Sequence, residues 1–132
     1  IAPRTLRMMR DALVTAEDDV LAAFNSVNND DEYDIYCRRE TPINSLISVR
    51  VCRARFVDTV NARATQEALQ GSTVYVNPIA ELRYHDEILR QKMSDLLEDN
   101  PRLYEAMLRY YNLKTDYDSE RTERFEDGFF SR

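Results

Sequence analysis

Two cysteines and a run of arginines are the residues in this sequence whose types and spacing carry chemistry. Cys37 and Cys52 stand fifteen positions apart, with Thr41-Pro42-Ile43-Asn44-Ser45 between them. Two thiols so placed can close a disulfide; the alternative is a pair of buried, reduced thiols in a cytosolic protein. They cannot supply a four-thiolate zinc site, and C-x-x-C is absent from the sequence. All but two of the 18 basic side chains are arginine. Arg38, Arg39, Arg50, Arg53, Arg55 and Arg63 fall close together, and Glu40 is the single acid within residues 35–57. Planar guanidinium forks recognise carboxylates and phosphates. Acidic segments of a partner protein, peptidoglycan stems and lipid headgroups all offer such groups. The competing reading is intramolecular, since Asp30, Asp31, Glu32 and Asp34 are near enough in sequence to neutralise the arginines.

The other constellations carry less. His85-Asp86-Glu87 holds the only histidine. A metal phosphohydrolase needs further His ligands and a zincin needs H-E-x-x-H, so His85 is expected at the surface or between helices. Asn28, Asp30, Glu32 and Asp34 alternate oxygen ligands as a calcium loop does, but the sixth position lacks glycine and Arg39 stands where the bidentate glutamate belongs. A solvated acidic turn is the expectation there. The 24 acids always offer pairs of carboxylates, so no single pair marks a glycosidase. Two glycines cannot build a dinucleotide loop, and no phosphate-cradling loop is present. The net charge of −6 argues against nucleic acid as the main partner. Tyr104, Tyr110, Tyr111, Tyr117, Phe125, Phe129 and Phe130 make the last third aromatic. Those facing inward belong to a core; those facing outward can anchor a partner.

These residues need elements to position them. At 132 residues, 43% hydrophobic and 32% charged, the chain has the composition of one globular domain, 1–132. Its apolar runs stop well short of the about 20 residues that span a membrane. Leu6, Met9, Leu13, Ala16, Val20, Ala23 and Val27 alternate spacings of three and four, which predicts a helix over 5–27. Tyr, Ile, Val and Arg enrichment around the Pro-Ile-Asn-Ser turn predicts a hairpin over 33–56, with strands at about 33–40 and 46–56. A helix is predicted from Asp58, as N-cap, to Gln70, stopped by Gly71, with Val57, Val60, Ala64 and Ala68 as its weak apolar face. Val74-Tyr75-Val76 fits a short third strand or an extended connector. Asn77-Pro78 and Asn100-Pro101 each set a capping Asn before a proline at the first helical position. They start helices over 78–97 and 101–125, with Ile79, Leu82, Leu89, Met93 and Leu96, then Leu103, Met107, Tyr110, Leu113 and Tyr117, inward. The short link between the two suggests a helical hairpin, and Gly128 is expected to end the last helix.

The hairpin allows a register test. A two-residue turn at Asn44-Ser45 sets Cys37 directly opposite Cys52, lets Asn take the positive φ such turns require, and puts Pro42 opposite Ile47 where no ladder bond is needed. Counting outward makes the cysteines a hydrogen-bonded pair, with Cα atoms about 5.5 Å apart, within disulfide reach. Such a bond persists in oxidising compartments, which predicts a periplasmic or secreted protein. Alternation puts Arg39 and Arg50 on the cysteine face, and Arg53 and Arg55 on the face of Val51.

Tyr33-Asp-Ile-Tyr-Cys37 and Arg50-Val-Cys-Arg-Ala-Arg-Phe56, with the acidic run before them, resemble a group of small leader-bearing envelope proteins of gamma-proteobacteria. The resemblance covers residues 28–56, and Asn44 stands where that group often has Gly. It implies an envelope location and lends no catalytic residue. The chain opens on Ile1 without a charged-then-apolar leader, as expected where a leader has been removed or the sequence trimmed.

The expectation is an α+β, mainly helical fold in which a disulfide-linked antiparallel hairpin packs against three or four helices. It is expected to be a non-catalytic periplasmic or secreted accessory domain, with no cofactor and no metal, that binds an envelope protein through Arg38, Arg39, Arg50, Arg53, Arg55, Phe129 and Phe130. The alternatives are a small envelope hydrolase using carboxylates and a binder of anionic lipid or glycan.

Overall fold

A computed structural model describes residues 4–71 and 78–125 with their side chains, and the backbone of the last helix on to residue 130. In order the elements are α1 (Leu6–Val27), a 3-10 turn (Asp31–Tyr33), β1 (Ile35–Glu40), β2 (Val49–Ala54), α2 (Arg55–Leu69), α3 (Pro78–Asp99) and α4 (Pro101–Phe130). The fold is α+β and mainly helical. Among the described residues no helix is long and apolar enough to cross a membrane. The chain divides into two compact units, residues 24–96 and residues 1–23 with 97–132.

In the second of these units the predicted stripe of α1 is the buried one: Ala16, Val20 and Ala23 are inaccessible, as is Leu103 of α4. Arg109 meets Asp19 at 3.8 Å, and Arg124 Nη2 donates to the Arg4 carbonyl at 2.6 Å. As α1 is followed from Asp19 back to Arg4, α4 runs on from 109 to 124, so the two are antiparallel. Burial, followed by the nearby Glu17 carboxylate, pushes the Tyr110 phenol above its usual pKa. The helix does not stop at Gly128 but continues to Phe130. One glycine costs a helix only about 1 kcal/mol relative to alanine and need not end it.

The unit of residues 24–96 holds the hairpin. Asp30 caps the 3-10 turn by accepting from the Glu32 N–H at 3.1 Å, so the acidic run is a capping turn and Tyr33 and Asp34 precede the strand instead of opening it. Buried Asp34 accepts from Asn28 Nδ2 at 2.8 Å. Tyr33, Ala54 and Phe56 form a core cluster against which Ile35, Val57, Leu82, Ile88 and Leu89 pack. Phe56 belongs to α2 and not to the second strand. A helix starting at Arg55 puts Phe56 and Val60 on one face, one turn apart, and both are buried. Asp58 is therefore no N-cap. Ala54 holds that position without a side-chain bond, and Asp58 sits in the first turn, where the positive helix end favours its charge. Gly71, at φ +73°, follows the end of α2 as predicted. The third helix begins at Pro78 and runs two residues beyond the predicted end, to Asp99; Ile79 is half exposed and not inward. Val74-Tyr75-Val76 and Asn77 lie outside the described residues.

The strands pair antiparallel in the predicted register, Cys37 opposite Cys52 and Ile35 opposite Ala54. The turn differs. The strands part after Glu40 and rejoin at Val49, and the turn inside that longer loop is centred on Ile43-Asn44. Ser45 N–H donates to Pro42 C=O at 3.0 Å, and Asn44 carries φ 65°. Neither Pro42 nor Ile47 lies in a strand. The hydrogen-bond phase is the reverse of the prediction as well. Arg55 N–H donates to Asp34 C=O at 2.9 Å, which makes that pair a bonded rung. Every second pair beyond it is bonded, and Cys37–Cys52 falls between rungs, with Cα atoms 4.0 Å apart.

Candidate functional site

Cys37 and Cys52 form a disulfide. It braces a ribbon whose two faces carry different arginine chemistry. On one face lie Tyr36, Arg38 and Glu40 with Val51 and Arg53. Arg53 grips Glu40 with both terminal nitrogens, Nη2 to Oε2 at 2.9 Å and Nη1 to Oε1. Arg38 Nε donates to the same Glu40 Oε1 at 2.8 Å, while its two terminal nitrogens fork onto Asp58 at 3.0 and 3.3 Å. Glu40 thus lies between two guanidinium groups. Hydrogen bonds first from Arg53 and then from Arg38 hold its carboxyl down to a pKa of about 2. Arg55, the first residue of α2, returns to this face. Its guanidinium lies 5.3 Å from the centre of the Tyr36 ring, and Nη2 donates to the Tyr36 hydroxyl at 3.4 Å. Together Tyr36, Arg38, Val51, Arg53, Arg55 and Asp58 line a recess of about 260 Å³.

On the disulfide face, Arg50 Nη2 donates to Cys37 Sγ at 3.3 Å. Arg39 binds Ser48 twice, Nε to Oγ at 3.1 Å and Nη2 to the carbonyl at 2.9 Å. That fastens the far arm of the loop to β1. Ser45 Oγ accepts from Ile47 N–H at 3.1 Å and tightens the loop further.

Among the described residues no ion pair joins these arginines to Asp30, Asp31, Glu32 or Asp34. Asp30 caps a turn, Asp34 is held by Asn28, and Glu32 accepts from Thr59 Oγ1 at 3.0 Å. Glu40 and Asp58 take the pairing role instead, and Arg63 pairs with Glu81. The side chains of Phe129 and Phe130 lie outside the described residues.

Two features went unread in the sequence. The first is the loop's apolar tip: Ile43 is 93% exposed, Leu46 103% and Ile47 71%. Reading Leu46 and Ile47 as strand residues hid them; three large aliphatic residues around an Asn-Ser turn were the available signal. The second surrounds His85, which does lie between elements. Its Nδ1 and the Tyr33 hydroxyl are 2.8 Å apart, and Nε2 is 3.9 Å from Glu81. The Tyr33, Phe56 and Tyr84 rings flank it. Lys92 lies 5.3 Å from the centre of the Tyr33 ring. Burial, then the charge of nearby Asp30, raises the Tyr33 pKa, and the phenol serves as a hydrogen-bonding tie between the 3-10 turn and α3.

No protein-family model, no curated protein sequence and no solved structure matches the chain significantly.

Proposed function

We propose that this chain is a non-catalytic accessory domain of the cell envelope, periplasmic or secreted, that binds another protein through its hairpin. The observation that carries the reading is the tip, where Ile43, Leu46 and Ile47 are exposed on the loop joining two strands that carry Arg38, Arg39, Arg50 and Arg53. Exposed aliphatic side chains of that size are costly for a chain to keep unless a partner covers them. Binding energy concentrates in apolar anchors surrounded by polar groups, arginine prominent among them. The disulfide and the Arg39–Ser48 bonds hold the anchors in place beforehand, which lowers the entropy lost on association. The same disulfide supports an oxidising address.

The test is recovery of a partner from envelope extract by the intact chain, with Leu46→Asp and Ile47→Asp chains beside it. Both side chains are exposed, so these variants keep the fold, which circular dichroism verifies. Loss of the same partner from both variants supports the reading; equal recovery by all three chains overturns it. Salt-sensitive capture on anionic vesicles in place of a protein would favour the lipid-binding alternative.

A further inference from the structure

We infer that the outer edge of β1 is a docking line for an extended acidic segment of a partner protein, which adds to the hairpin as a third strand. The inference rests on the protein-binding reading of the hairpin and names the chemistry of the partner.

The hydrogen-bond phase of the ribbon decides which main-chain groups of β1 face outward. The Asp34–Arg55 pair is bonded, so the ladder bonds of β1 are made by alternate residues, and Ile35, Cys37 and Arg39 direct their N–H and C=O groups away from β2. The first of these outward positions is filled. Asn25 Oδ1 accepts from Ile35 N–H at 2.9 Å and Asn25 Nδ2 donates to Ile35 C=O at 2.8 Å. A primary amide used this way reproduces the donor–acceptor pair of a strand residue, so the edge already carries one rung of a third strand. The next two rungs are open. Among the described residues nothing bonds the outward main-chain groups of Cys37 or Arg39. Edge strands are normally blunted by charged side chains, a proline, a bulge or a covering element, and the charges here, Arg38 and Arg39, repel a second copy of this edge while admitting an acidic strand. Here the one nearby proline, Pro42, lies beyond the end of β1.

The side chains choose the partner. A strand laid on this edge runs beside Arg38 on one face and Arg39 on the other, both exposed. Among the described residues Arg39 holds Ser48 and no carboxylate. Glutamate or aspartate next to Arg39 would complete a charge pair that the hairpin leaves open. Main-chain bonds would supply affinity and the arginines selectivity, as in strand addition generally.

The test uses the whole oxidised chain, labelled for amide NMR, and an acetylated, amidated heptapeptide alternating Glu and Val. The expected result is slowed hydrogen exchange at the Cys37 and Arg39 amides, abolished when alternate peptide nitrogens are methylated or Glu is replaced by Lys. An Arg39→Pro chain removes one outward N–H without touching the ladder, and should weaken the peptide about tenfold. An Arg39→Ala chain keeps the N–H and should weaken it less. Peptide binding without protection at Cys37 and Arg39, undiminished binding by the methylated peptide, or no binding overturns the inference. If the Leu46→Asp chain still loses its envelope partner, the protein-binding reading of the hairpin survives that failure.

Discussion

Asn25 and Ile35 are joined by both ends of one amide, so a side chain from the last turn of α1 completes the main chain of β1. Removing it leaves a half-buried N–H and C=O without partners. Asn25→Ala is expected to destabilise the chain by about 1–3 kcal/mol, the cost of leaving buried polar groups unmade. Asn25→Asp keeps only the acceptor and should recover part of the loss. Urea unfolding followed by circular dichroism reads both, and a cost below a few tenths of a kcal/mol would show that water replaces the amide.

The disulfide makes a second expectation. Alkylation of the unreduced native chain followed by mass spectrometry should find neither Cys37 nor Cys52 reactive. A Cys37→Ala/Cys52→Ala chain should lose about 3 kcal/mol, the loop entropy a cross-link of this separation withholds from the unfolded chain. Unchanged stability would mean that the ladder bonds and the side-chain pairs, Arg53–Glu40 and Arg38–Asp58 among them, hold the ribbon without the cross-link.

What the sequence made legible follows from how local its causes are. The stripe of α1 was readable because helical periodicity is a local signal, and Ala16, Val20 and Ala23 are buried on it. The register of the cysteines was readable because covalent chemistry tolerates few spacings. The phase of the ladder was not, since it depends on where the strands part, and a loop centred on Ile43-Asn44 satisfies the same register with the opposite bonds. The partners of the arginines were also hidden. Asp58 reaches Arg38 only because α2 starts at Arg55, and α2 starts there to bury Phe56. The open edge at Cys37 and Arg39 depends on that phase, so no pattern of residue types could announce it.

The turn residue Asn44 sits at φ 65°, where a β-carbon crowds the following carbonyl. Asn44→Gly should leave stability unchanged or slightly higher, whereas Asn44→Val should cost about 1–2 kcal/mol because a branched side chain tolerates this region worst. Thermal unfolding of the two variants separates them. Equal midpoints would mean that the loop takes another conformation in solution.

The clamp on Glu40 sets a pH dependence whose sign is fixed. Arg53 and Arg38 hold the folded carboxyl down to a pKa of about 2, from 4.5 for the free side chain. A group whose folded pKa is depressed gives up protons more readily in the native state than in the unfolded one. Its contribution is complete above about 4.5 and disappears as the pH falls through that interval toward 2. Both arginines stay charged throughout, so protonating Glu40 leaves two neighbouring cations facing each other and adds repulsion to the lost bonds. Unfolding free energies measured across this interval should fall with acidification in the native sequence. Glu40→Gln should be less stable at neutral pH and should show a flatter profile in the same window. If the two chains have parallel profiles, the acid sensitivity comes from other carboxylates, and the clamp is a surface contact exchanging freely with water.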